Sequence, residues 1–498
     1  MLEVNFTVNF YKRVTRRTGT EIKEVGSKYL TDEVKAHKND PGWLWKIVNE
    51  IIPSKEQERQ VYTKDLKIIV EEFNECFVSV RRNTAEIALN LAKQNNIRLS
   101  NPLLNSKTYP SEQQLNFRPV SCTDVRRIIM EMPKNKSPDP DKMNMSIIKD
   151  CLPVILGRLT HIINSSFATS IFPEKCKLSE VIPLHKDGDH EIASNNRPIS
   201  LLEIMSKVCE RVALDQFNAY LTANHHLSPH QNGNQKLHSV ETLNEFITDT
   251  ILETIEKKKI TALILLDMSK AFDNVSHPIL LHKLKCVGAS LQTVEWFNSY
   301  LTGRRQYVRI GSTMSTTLPL SHGVPQGSIL SPLLFCIYTN DIPSIPLSSN
   351  IDSYVDDSKL SLTFMVENME ETVVKLEKDL RNVAKWCFEH QLLINPEKTK
   401  FLLIGSRPML QNLPMNISLK FLKETIKPVT SAKDLGITLD SNLSYNEHIS
   451  NLTSSCIRKL CQINRVKTSF DAKTFQSVVE ALVISKLTYG SSGQIRQQ

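Results

Sequence analysis

Residues 351–362 read IDSYVDDSKLSL, with Asp356 and Asp357 side by side behind an apolar-flanked tyrosine. Adjacent carboxylates repel, so either the pair is a polar turn between strands or a cation supplies the missing charge. The flanks, SNIDSYV and SKLSLTF, alternate like the two arms of a hairpin. A third carboxylate, Asp267, ends the dense apolar run TALILLD, which reads as a buried strand. Asp267 is far upstream, so the three acids meet only if both strands share one sheet. Gathered carboxylates in a partly dry cleft either hold protons or hold cations. Hard oxygen donors suit Mg²⁺, and two such ions about 3.5–4 Å apart can clamp an in-line phosphoryl displacement.

The rest of the chain bounds this reading. Its 498 residues exceed one simple core and imply about two to four domains or subdomains. A hydrophobic content of 40% is that of an ordinary globular protein, which excludes a fibrous or disordered class. No apolar run approaches the ~20 residues that span a bilayer. The N-terminal text MLEVNFTVNFYKRVTRRTG lacks the apolar stretch of a secretory signal. The cysteines are scattered without zinc spacing; Cys456 and Cys461 read as buried free thiols, and the chain as a reduced, intracellular protein. A net charge of +8 permits a polyanionic partner without requiring one.

Along the chain, NDPGWLWKIVNEIIPS predicts a helix with an apolar face at Trp43, Leu44, Ile47, Val48 and Ile51. TKDLKIIVEEFNECFVSV repeats the pattern at Leu66, Ile69, Val70, Phe73 and Phe77. Residues 95–116 are polar and proline-punctuated and read as a linker. Helices are predicted at 122–132, 146–169, 201–223, 239–259 and 369–390. RQYVRIGST and STTLPLSHG read as an exposed hairpin, and SILSPLLFCIYTNDI as a helix capped by Ser328 or Ser331 with Pro332 early in it. A strand is expected at 400–405, and mostly helix after DLGITLDSNLSY.

Taken in order, LLDMSKAFDNVSH, HGVPQGSILSPLLFCIYTNDI, SYVDD and LINPEKTKFLLIG resemble successive palm motifs of reverse transcriptases, in detail those of non-LTR (LINE-type) retrotransposons. Upstream, VIPLHKDGD and NNRPISLLEIMSKVCERV resemble the fingers of that family, and DLGITLDSNLSYNEHI its post-palm strands and thumb. The resemblance runs from about Phe117 to Tyr489. It implies an α+β right-hand polymerase of fingers, palm and thumb, with a largely antiparallel palm sheet backed by helices and a helical N-terminal region before it. The implied boundaries are 1–94 for a basic helical connector, 95–116 for the linker, 117–440 for fingers and palm, and 441–498 for a helical thumb.

The implied activity is RNA-directed DNA synthesis: a primer 3′-hydroxyl attacks a dNTP on two Mg²⁺ ions, for which Mn²⁺ can substitute. Asp267, Asp356 and Asp357 become the catalytic acids and metal ligands. Phe272 becomes the residue that blocks a ribose 2′-hydroxyl. Gln326 contacts the incoming nucleotide or the template. Lys186 and Arg197 clamp the triphosphate, Arg197 through a forked guanidinium and Lys186 as a point charge. Lys398 stands near the leaving pyrophosphate, where it can act as a general acid. Tyr354 and Gly327 belong to the primer and template path. The implied partners are an RNA template, a DNA primer and dNTPs, with no membrane, and the resemblance suggests a nuclear location.

Several positions depart from the family text. Asp139 and Lys142 stand where glycines are usual, and Asn234 and Gln235 where an aromatic residue and an arginine are usual. Gln235 in place of that arginine removes a charge-assisted phosphate contact. No endonuclease or zinc-knuckle pattern is seen, so intrinsic target nicking is not expected. The alternative is a catalytically silent retroelement remnant that binds RNA or a protein partner. RNA-templated RNA synthesis is disfavoured by Phe272 and SYVDD.

Overall fold

The computed structural model describes residues 28–37, 40–51, 62–104, 109–134, 139–233, 235, 238–414 and 416–489. The N-terminal segment read for a signal, part of the 95–116 stretch, residues 135–138, Asn234 and the last residues of the chain lie outside these. The chain divides into two compact units, one from Met1–Val61, Asn244–Asp249 and Gly436–Gln498, the other from Tyr62–Leu243 and Thr250–Leu435. The region 1–94, drawn from the sequence as one piece, therefore contributes to both.

The smaller unit is mostly helical where described, with one short strand at Ile437–Asp440. Helix Pro41–Ile51 buries Leu44, Ile47 and Val48 against Cys456, Ile463, Val466 and Phe470 of the C-terminal segment. The first predicted apolar face thus docks on the chain's own last helices. Asp471 caps helix Ala472–Val479 by accepting the Thr474 N–H at 2.9 Å, and the Thr31 hydroxyl donates to the same carboxylate at 3.2 Å. Cys456 is buried as expected, but Cys461 is exposed.

The larger unit opens with helix α1 (Leu66–Gln94), started by Asp65, whose carboxylate accepts the Lys67 N–H at 2.8 Å. Helices α2 (Cys122–Glu131), begun by a Ser121–Asp124 capping box, and α3 (Met145–Thr169) follow. Strands β1 (Leu178–His185) and β2 (Asn196–Leu201) pair antiparallel before helix α4 (Ile204–Ala223). Strand β3 (Ile260–Leu266) leads to helices α5 (His277–Cys286) and α6 (Leu291–Leu301), then β4 (Arg305–Ile310) and helix α7 (Ser331–Tyr338). The hairpin β5 (Asn350–Tyr354) and β6 (Asp357–Phe364) precedes helix α8 (Met369–Glu389), β7 (Lys400–Ile404) and β8 (Ser431–Asp434).

Two sheets organise this unit. In one, β1 lies between β2, antiparallel, and β4, parallel. The other has the order β7-β3-β6-β5 with every neighbour antiparallel. Strand β3 is central and covered on both faces: Ile260, Ala262 and Ile264 are wholly buried, and Leu263 nearly so. That explains its unbroken apolar text. Among the described residues no helix is long and apolar enough to cross a membrane.

Three local expectations need correction. RQYVRI pairs antiparallel with Thr313–Met314 and Leu318–Pro319, as the hairpin reading expects, but it is not exposed: β4 also joins the first sheet, and Gln306 and Val308 are fully buried. Its partner β1 is remote in sequence, so local alternation could not reveal the pairing. The 95–116 stretch is not a free linker, because Ile97 and Leu115 belong to the main core and Leu115 exchanges backbone hydrogen bonds with Gly288 and Ser290. Finally, Leu330 is the N-cap of α7; the Ser328 hydroxyl instead accepts the Ser331 N–H at 2.9 Å.

The acid hairpin is anchored from behind. Asp379 of α8, fully buried, accepts the N–H groups of Leu347, Ser348 and Ser349 at 2.8, 3.0 and 2.9 Å, and the Ser349 hydroxyl at 2.7 Å. These residues lead directly into β5. Asp379→Ala strands the buried Ser349 N–H and hydroxyl and releases the Leu347 and Ser348 N–H groups, so chemical denaturation should show a loss of about 3 kcal/mol, whereas truncating the exposed Glu370 of the same helix should change little.

Candidate active site

The pairing of β3 with β6 ends at Leu266↔Ser358. The next residue along the first strand is Asp267, and the residue before Ser358 is Asp357, so the register delivers both acids to one end of the sheet. Asp356 sits in the two-residue turn closing β5 on β6, between the Tyr354↔Asp357 pair. The sheet therefore brings together the distant carboxylates that the sequence nominated.

That turn is held under strain. Val355 has φ of +60°, a left-handed conformation that β-branched residues rarely adopt. The buried Gln231 clamps it: its Oε1 accepts the Val355 N–H at 3.0 Å and the Gly233 N–H at 3.1 Å. The backbone beside Gln231 also binds the edge of β5, with Asn232 N–H donating to Ser353 C=O at 2.7 Å and Ser353 N–H to His230 C=O at 2.8 Å. A Cβ on Gly233 would lie 2.5 Å from the Val355 side chain, so only glycine allows this approach. Gln235, the departure flagged in the sequence, donates to the Ser228 carbonyl at 3.0 Å and serves the local loop. Asp139, the other departure, is buried and accepts the N–H groups of Met143 and Ile204 at 2.8 and 3.2 Å.

A cavity of about 590 Å³ opens at the acids. Of the residues chosen from the sequence, Asp267, Asp356, Asp357, Phe272, Gln326, Lys186, Arg197 and Lys398 all line it. Lys186, Arg197 and Lys398 are exposed, as solvated phosphate contacts would be. Phe272 is half-buried and stacks on Phe335, ring centroids 5.0 Å apart. Gln326 donates to Asp273 Oδ2 at 3.0 Å, which gives Asp273 a structural partner. Tyr354 and Gly327 do not line this cavity. Tyr354 sits across the hairpin from Asp357, and Gly327 lines a separate cavity of about 360 Å³. Gly327 has φ of +125°, and a Cβ there would meet the Ser200 carbonyl oxygen at 2.5 Å. The further lining residues that were missed include Lys270, exposed beside Phe272, and Phe77 from α1. Phe77 was legible only as one member of an amphipathic stripe, which does not say what lies beyond it.

The acids load the site with negative charge. Burial pushes the Asp356 carboxyl up, the Asp267 charge adds to this, and Arg197 draws it back. Asp357 is pushed up to about 6, first by desolvation in the cleft and then by Asp356 and Asp434, with Lys359 opposing. Lys359 and Asp434 form a buried ion pair at 2.5 Å, both side chains less than a tenth exposed. Among the described residues, no three His, Cys, Asp or Glu side chains stand as a group that could hold a metal ion.

Residues 184–439 match the family described as reverse transcriptase (RNA-dependent DNA polymerase). Over 373 residues the chain is 30% identical to a probable RNA-directed DNA polymerase from transposon BS of Drosophila melanogaster, covering 72% of this chain and 40% of that protein. It is 26% identical over 394 residues to the RNA-directed DNA polymerase from mobile element jockey of the same species, covering 76% and 42%. A probable RNA-directed DNA polymerase from its transposon X-element is 27% identical over 363 residues, covering 70% and 38%. The chain thus spans about two fifths of the length of these relatives.

The raised Asp357 carboxyl sets a pH dependence. The folded state holds this proton up to about pH 6, whereas the unfolded chain releases it near the ordinary 3.8. Stability therefore falls as pH rises through that window. Asp357→Asn should melt higher than wild type at pH 7.5, by roughly 1–3 °C given partial solvent screening, and the two melting curves should converge near pH 4.

Proposed function

Because the chain belongs to the reverse transcriptase family, we propose that it is the RNA-directed DNA polymerase of a non-LTR (LINE-type) retrotransposon, extending a DNA primer on an RNA template. The observation that carries this is one cavity lined both by Asp267, Asp356 and Asp357 and by Lys186, Arg197 and Lys398. Such a cavity suits a polyanion held by cations at its outer groups and joined at its inner phosphate. In this reading the sheet β7-β3-β6-β5 is the palm, and the sheet of β1, β2 and β4 belongs to the fingers. The helices after residue 441 belong to the thumb.

Asp267, Asp356 and Asp357 would hold divalent magnesium. The donor set fits in its chemistry: all three are hard carboxylates of the kind Mg²⁺ takes, and Asp356 and Asp357 are pushed up partly by neighbouring negative charge. When bound, such ions ease loss of the primer hydroxyl proton and stabilise the leaving charge. The protein's own residues orient the reactants. Arg197 and Lys186 grip the triphosphate from β2 and the end of β1. Lys398 offers a proton to the departing pyrophosphate. Phe272, fixed by its stack on Phe335, bars a 2′-hydroxyl from the sugar position. Gln326, tethered to Asp273, presents the surface on which the nucleotide rests.

The deciding experiment is primer extension on an RNA template with dNTPs and Mg²⁺. Wild type should extend and Asp356→Asn should not; RNA binding without extension by wild type would refute the polymerase reading. Phe272→Ala should raise ribonucleotide incorporation by roughly tenfold or more, read from alkali-sensitive product. Lys398→Glu should slow single-turnover bond formation, and an unaltered rate would make that lysine a bystander.

A further inference from the structure

We propose that helix α1, which lies upstream of the family-matched segment, is part of the nucleotide site: Phe77 is a wall of the cavity and Thr84 a positioning residue for the loop that carries Phe272. This rests on the polymerase reading above. Phe77 is 5% exposed, yet it lines the same cavity as Asp267, Arg197 and Phe272. Thr84 follows seven residues later, two turns along the same face of the helix.

The Thr84 hydroxyl donates to Asn274 Oδ1 at 2.7 Å in a fully buried contact. Asn274 in turn donates from Nδ2 to the Ser269 carbonyl at 2.9 Å. This bond ties the two ends of the 269–274 loop together, and between them sit Lys270, Ala271, Phe272 and Asp273, all lining the cavity. The opposite side of the loop is held by the 322–327 segment, where Val324 N–H donates to the Phe272 carbonyl at 3.0 Å and Gln326 to Asp273. Helix α1 therefore supplies one of two jaws that fix the Phe272 backbone.

The helix itself is fixed by buried polar contacts. Asn74, wholly buried, donates to the Thr316 carbonyl at 2.7 Å and accepts from Gln306 at 3.0 Å. Ile69, Val70, Phe73 and Phe77 cover Val181 and Val308 and account for the packing of α1 on the first sheet, so Phe77 serves both that core and the cavity. That packing does not require a hydroxyl at 84. Slack at Asn274 passes to the Phe272 backbone, and a sugar discriminator works only if its backbone is fixed. Thr84 thus acts through Asn274 and Phe272, without touching the nucleotide.

The test uses the full-length protein on a primer–template ended with a dideoxynucleotide, so that binding is read without bond formation. Equilibrium affinities for dTTP and UTP are measured for wild type, Thr84→Val, Thr84→Ser and Phe77→Leu, alongside thermal melting. Thr84→Val keeps the side-chain shape and removes the donor. It should weaken dTTP by about tenfold and narrow the dTTP-to-UTP ratio, while primer–template affinity is unchanged. Thr84→Ser should restore both nucleotide readouts, and Phe77→Leu should weaken both nucleotides together. The assignment is overturned if Thr84→Val matches wild type for both nucleotides, if Thr84→Ser fails to restore them, or if wild type shows no sugar preference in this complex. A wild type that binds dTTP selectively but fails to extend a primer would sink the polymerase reading and leave this assignment standing.

Discussion

Everything at the site depends on one antiparallel register. Sliding β6 along β3 by one residue would turn its side chains to the opposite face and carry Asp357 away from Asp267. The register is specified because β3 is buried on both faces, and Leu360 and Phe364 of β6 add to the same core. The hydrophobic effect thus sets the position of groups that electrostatics alone would separate. Burial raises the proton affinity of Asp356 and Asp357, and the charge of Asp267 on the first and of Asp356 on the second adds to this.

The surrounding framework opposes the strain with fixed partners. Gln231 and the 230–233 backbone hold the turn at Val355, and Asp379 fixes the approach to β5 from behind. Lys359, two residues beyond Asp357, places a buried cation on the same face of the strand. Burial pushes the Asp434 carboxyl up, and Lys359 draws it back. A buried ion pair of this kind adds little net stability compared with apolar packing. Its value here is to supply positive charge near the acids and to tie β8 to the central sheet.

Much of this was legible in the sequence because it is local or strongly patterned. The apolar run ending in Asp267, the alternating arms around Asp356 and Asp357, and the stripe of Val373, Leu376, Leu380 and Val383 all form the elements their periods predict. The family resemblance then named eight residues that share one cavity. What escaped was non-local. The parallel pairing of β4 with β1 leaves no period of its own, and composition alone cannot tell a packed strap at 95–116 from a free linker. Gln231 and Asp379 are polar residues whose importance comes from burial, which a sequence does not display. Thr84 and Phe77 sit on a helix whose pattern announces only that something covers it.

Val355 and Gly233 carry a consequence for how lineages of such elements erode. The three acids can all survive in the text of a copy while a single methyl group at position 233 drives into the bend that presents them. An inventory of intact motifs would then overcount competent copies. Mutational decay should be scored also on the small, silent residues that let two backbones touch, since their loss leaves no gap in the signature.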